Sequence, residues 1–165
     1  MDQPTPFEDE LIALLPRLRR FAHALSRNSA DADDLAQLTI ERALRSRGQW
    51  QAGTRLDSWA YRIMRNLWID TVRARWRKEK VEAPEQEADR LGEDPRESMD
   101  AAVDLGRIMA AMERLPDEQR EIVALILIEG FGYREVSDML DLPIGTVSSR
   151  LVRGRTALLA MVGEP

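Results

Sequence analysis

Leu11, Leu14, Leu15, Leu18, Phe21, Ala22 and Leu25 recur at steps of three and four, the period of one helix face, so Phe7 to Ser26 is predicted to be an amphipathic helix. Asn28-Ser29-Ala30-Asp31 then offers cap residues for a second helix, Asp31 to about Arg47. Its expected buried side holds Leu35, Ala36, Ile40, Ala43 and Leu44, and its other face holds Asp34, Gln37, Glu41 and Arg45. Two glycines in Gly48 to Thr54 break the period, after which Thr54 or Asp57 can cap a long helix ending near Lys80. Trp59, Ile63, Leu67, Trp68, Val72 and Trp76 form its apolar part, while Asn66, Asp70, Arg73 and Arg77 line one polar face.

The pattern fails from Val81 to Glu97, where two prolines, a glycine and dense acidic charge replace aliphatic side chains; such a stretch cannot bury enough surface to fold alone and is predicted to be a linker. Packing resumes with Met99, Val103, Ile108, Met109 and Met112, stops at Leu115-Pro116, and restarts at Asp117, a candidate cap, before the apolar run Ile122 to Ile128. Gly130 and Gly132 end that helix. Tyr133 to Leu140, the turn Asp141-Leu142-Pro143, and about Ile144 to Met161 complete the chain. No segment alternates with period two, so the fold class is all-α: two small helical domains, residues 1–80 and 105–165, joined by a flexible acidic linker at 81–104.

Charge sharpens this division. Residues 55–80 carry eight basic and three acidic side chains, a net +5, whereas residues 81–104 carry two basic and nine acidic, a net −7. The whole chain of 165 residues is at −5. With no Cys and one His, disulfides, thiolate chemistry and the usual zinc sites are excluded, and no nucleophile–base pair points to an enzyme or to a small-molecule substrate. No cofactor or metal is expected. The apolar run at 122–128 falls far short of the ~20 residues a bilayer span needs, and Met1 to Pro6 has no signal-peptide pattern, so a cytoplasmic protein without membrane insertion is expected. Gly130-Phe131-Gly132 lacks both a preceding strand and the third glycine of a dinucleotide fingerprint.

The most informative stretch is Tyr133 to Arg155. Two turns of helix, a tight break, and a second helix with Val147, Leu151 and Leu158 inward form a helix-turn-helix pattern, whose second helix enters the DNA major groove. Thr146, Ser149, Arg150 and Arg153 make one outward stripe there, suited to base edges and phosphates. A solvated face of a small bundle is the alternative. Likewise, Arg73 to Lys80 is either a nucleic-acid face or a helix end complementing its own dipole, and Trp50, flanked by glycines, either stacks on an unpaired base or folds back to plug the core.

In this order, Asp31 to Leu44, Leu56 to Arg75 and Leu115 to Arg155 resemble regions two and four of the extracytoplasmic-function sigma factors of the sigma-70 family. The resemblance implies a non-enzymatic initiation factor, working in a stress response, whose partners are core RNA polymerase through its β′ coiled coil and β subunit, promoter DNA and an anti-sigma factor. Asp33, Asp34, Gln37 and Glu41 would meet polymerase; Trp50, Arg55, Asn66, Asp70, Arg73 and Arg77 the minus-ten element; Arg134, Thr146, Ser148, Ser149, Arg150 and Arg153 the minus-thirty-five element. Ser148 stands where relatives often carry Lys. Gly154, inside the second helix, costs ~1 kcal/mol relative to Ala and is suited to a close approach to another surface. The loop Gln51-Ala52-Gly53-Thr54 is similar to a subgroup serving general stress responses in alphaproteobacteria. The competing assignment is a stand-alone helix-turn-helix regulator whose first 80 residues dimerise or sense a signal.

Overall fold

The computed structural model describes residues 7–81 and 101–163. The linker prediction and Met99 fall mostly outside these residues; 101–104, counted above with the linker, open a helix.

The predicted first helix is two: α1 (Phe7–Ala13) and α2 (Leu15–Ser26). Pro16 causes the break, because proline at the second position of α2 has no N–H for the preceding turn and its ring crowds that turn. Asn28 caps α3 (Ser29–Arg45), its side chain accepting from the amides of Ala30 at 2.9 Å and Asp31 at 3.2 Å. A single 3-10 turn, Arg47–Gln49, leads to α4 (Leu56–Val81). Leu18, Phe21, Leu35, Ala36, Ala60, Tyr61 and Met64 fill the space between α2, α3 and α4.

Three apolar assignments fail here. Leu44, Val72 and Trp76 are exposed, because α3 and α4 outrun the elements that cover them; the core face of α4 is Leu56, Ala60, Tyr61 and Met64 instead. Trp59, Ile63, Leu67 and Trp68 pack only at its margin.

The second package comprises α5 (Ala101–Glu113), α6 (Asp117–Val123), a π-helical turn at Ala124–Ile128, α7 (Tyr133–Leu140) and α8 (Ile144–Val162). Pro116, not Asp117, holds the cap position of α6; the Asp117 carboxylate is turned to Arg120 and Arg27. The widened turn is marked by Glu129 N–H donating to Ala124 O at 2.9 Å, and Gly130, at φ 79, takes the left-handed conformation that ends it. Asp141 (φ 54) ends α7: its amide and that of Leu142 both reach Ser137 O. Val136, Met139 and Leu140 then pack against Val147 and Leu151, fixing the angle of the helix pair. Gly154 is buried where α8 crosses α6; a Cβ there would lie 2.8 Å from Val123 Cγ2.

The two packages dock. Their buried side chains merge into one apolar cluster, and a chain of edge-on rings, Phe21 to Tyr61 at 4.9 Å and Tyr61 to Phe131 at 5.3 Å, runs from α2 through α4 into the second package.

Candidate nucleic-acid and polymerase interface

Four regions bear on function. On α3, Asp33, Asp34, Gln37 and Glu41 are all exposed on one side, with Leu38 and Leu44 exposed among them. Exposed leucines bordered by carboxylates form an amphipathic strip.

On α4, Asn66, Asp70, Arg73 and Arg77 form the predicted line and all are exposed. Arg75, next to it, is held by Asp31 on α3 at 2.9 and 3.0 Å and lies over the Trp68 ring. Arg55 and Trp50 do not join that line. The Arg55 guanidinium donates to Asp57 at 2.8 and 3.1 Å and to Glu135 of α7 at 2.7 Å, over the Phe131 ring. Trp50 packs on Phe7 at 5.5 Å between centroids, with its indole Nε1 buried, as the core-plug alternative requires.

On α8, Ser149 and Arg153 are exposed while Thr146 and Ser148 are half-buried, and Ser149 Oγ donates to Thr146 O at 3.2 Å. Arg150 is turned toward Glu118 of α6 at 3.6 Å. Arg134 is exposed on α7, the supporting helix.

The fourth region, the seam between the packages, was not legible as a site. Its hub is Glu129, whose side chain is 1% exposed. It accepts from Arg20 at 2.8 and 2.9 Å, from Arg17 at 3.2 Å and from the Tyr61 hydroxyl at 2.8 Å. Burial pushes this carboxyl up, but the hydrogen bonds from Arg20, Tyr61 and Arg17 outweigh it and hold it below the ordinary carboxylate value. Burial and the same contact push the Tyr61 hydroxyl strongly up, so it stays a donor. Arg65 on α4 reaches Glu121 at 2.6 Å, where burial wins and raises the Glu121 carboxyl. Arg62 donates to the Asp138 carbonyl at 2.6 Å. In the opposite direction, Arg120 is buried and donates to the carbonyls of Ala24 and Leu25, the negative end of the α2 dipole. No local period could reveal this set, since its partners lie 56 to 112 residues apart.

A helix-turn-helix, a cationic α4 and an amphipathic α3 give the chain the surface chemistry of a two-part nucleic-acid-binding protein. Residues 11–78 match the family model Sigma-70 region 2, and residues 105–158 match Sigma-70 region 4. The chain is 36% identical over 154 residues to ECF RNA polymerase sigma factor EcfG of Rhodopseudomonas palustris, covering 93% of this chain and 83% of that one. It is 41% identical to ECF RNA polymerase sigma factor SigE of Mycolicibacterium smegmatis, over 93% of this chain but 60% of the relative's length. Among solved structures it is similar to the sigma factor RpoE of Bartonella quintana in complex with the anti-sigma factor NepR, with 30% identity, a TM-score of 0.81, and coverage of 97% of this chain and 98% of that one. The chain belongs to the ECF RNA polymerase sigma factors, the subunits that direct polymerase to promoters and start transcription.

Proposed function

We propose that the α3 strip of Asp33, Asp34, Gln37 and Glu41 docks on core polymerase in the cytoplasm, that the α4 line reads the minus-ten element, and that the α8 stripe reads the minus-thirty-five element. The observation that carries this is the separation of faces: all three lie on different helices, and the α3 strip and the α4 line are both exposed while the packages are docked. The chemistry fits each role. Carboxylates bordering leucines suit a basic protein surface, and Arg with Ser or Thr suits base edges and phosphates. Arg134 adds a phosphate contact from the supporting helix. Trp50 acts by holding the loop Gly48 to Thr54 against Phe7, so that the loop backbone rather than a free indole receives an extruded base.

The docked form is the resting form. The relative solved with NepR superposes over both packages, which supports an anti-sigma factor as the partner that retains this arrangement. Docking engages Arg55, Arg62 and Arg65, so part of the cationic surface is spent on Glu135, the Asp138 carbonyl and Glu121 instead of on DNA. A stress-response role rests on the similarity of the loop at Gln51 to Thr54. The test is co-elution of the full chain with core RNA polymerase. Wild type should elute with core, and the double substitution Asp34→Lys, Glu41→Lys should not; equal retention of both would reject the α3 assignment.

A further inference from the structure

We propose that Trp76 is a stacking platform for an unpaired base, extending the nucleic-acid face of α4 past its Asn66 to Arg77 line; this rests on assigning α4 to DNA. Of the four tryptophans, all in described residues, Trp50, Trp59 and Trp68 are partly buried and Trp76 is 60% exposed. Every residue from Val72 to Lys80 is exposed, so this end of the helix lies outside the packed core, touching α3 through Arg75 and Asp31. An indole in that position contributes nothing to the core.

Its surroundings select the occupant. Residues 73–80 hold five cations and one anion, and among the described residues Arg75 is the one of the five held by an acidic partner, Asp31. Lys80 Nζ lies 4.1 Å from the centroid of the Trp76 ring, which places a cation over the ring's π face. Among the described residues, a partner's apolar helix would find Val72 as the one other large exposed apolar group on this stretch, set among positive charges. Single-stranded nucleic acid needs what is here: a flat ring for a base and cations spaced along the helix for phosphates. Trp76 sits about a quarter turn around the helix from the Asn66 to Arg77 line, so a strand leaving that line can cross the ring without doubling back.

The test uses the full-length chain at low salt, with labelled oligo(dT) of about 12 nucleotides, its abasic counterpart, and a duplex of equal length as probes. Trp76→Ala should weaken oligo(dT) binding about five- to tenfold while leaving the abasic strand and the duplex unchanged, and Trp76→Phe should keep most of the affinity. Equal affinity of wild type and Trp76→Ala for oligo(dT) would overturn the proposal. So would an equal loss on the abasic strand, which would make the effect one of phosphate contact. Loss of core polymerase co-elution in Trp76→Ala would assign the ring to a protein partner and also overturn it. If wild type itself fails to elute with core, the polymerase assignment fails, and the oligo(dT) comparison still decides the role of Trp76.

Discussion

Glu129→Gln removes one charge from the center of the seam while keeping the shape of the side chain. The carboxylate accepts three N–H donations from Arg17 and Arg20 and one O–H from Tyr61. Hydrogen bonds to a charged group contribute ~1.5–3 kcal/mol each when buried. The glutamine keeps one acceptor and turns an NH2 toward a guanidinium. Arg17 and Arg20 are 32% and 47% exposed, so they rehydrate once released, and the loss is discounted to roughly 2 kcal/mol. That is about a thirtyfold shift from docked to separated packages. The chain has no cysteine, so labels on Arg45→Cys and Thr156→Cys, both exposed, report the distance between packages without a background signal. Wild type should give one narrow distance distribution and Glu129→Gln a second, longer population. Glu135→Gln, which removes an ion pair exposed on both sides, should change little. An unchanged distribution in Glu129→Gln would refute the assignment of the hub.

Acid should mimic that substitution. The Glu129 carboxyl is held below its ordinary 4.5, so its contribution is complete above that value and is lost as pH falls through the depressed one. The raised Glu121 carboxyl works oppositely, its stabilising effect fading as pH rises above 4.5. The labelled pair should therefore show wild type and Glu129→Gln converging in acid; a constant difference would contradict the hub's titration. One substitution should act with opposite signs at two glycines: Gly154→Ala drives a Cβ into Val123 and Gln119 and should lower thermal stability by ~1–3 kcal/mol, while Gly106→Ala, on an open face of α5, should raise it by up to ~1 kcal/mol. Thermal melts of both decide this. Arg150→Ala should cost ~1–3 kcal/mol in holoenzyme binding to promoter and relax preference at one position of the upstream element if the side chain leaves Glu118 for a base edge, as a panel of single-base variants would show.

The helix-turn-helix was legible because its signals are local: the turn Asp141-Leu142-Pro143 and the inward Val147, Leu151 and Leu158; the structure adds a left-handed Asp141 and Pro143 at the cap position of α8. Gly154 was legible too, since glycine inside a good helix has few other uses. The break at Leu14 is hidden in the sequence because the apolar period runs unbroken across Pro16. Period alone places Val72 and Trp76 in the core, but period does not say where the covering helices end. Nothing local marks Arg17, Arg20, Arg62, Arg65 and Arg120, because their partners come from the other package and only the tertiary arrangement supplies them.

Fragment retention separates a chain that recognises promoters as a subunit of polymerase from one that binds DNA as a free regulator. Sheared genomic DNA is offered to core polymerase alone, to the free chain, and to the two combined, and the retained fragments are sequenced. Only the combination should enrich fragments, and these should share two short motifs at a fixed spacing, one for the α8 stripe and one for the α4 line. Enrichment of a palindromic site by the free chain, unaltered by core polymerase, would contradict recognition as a polymerase subunit.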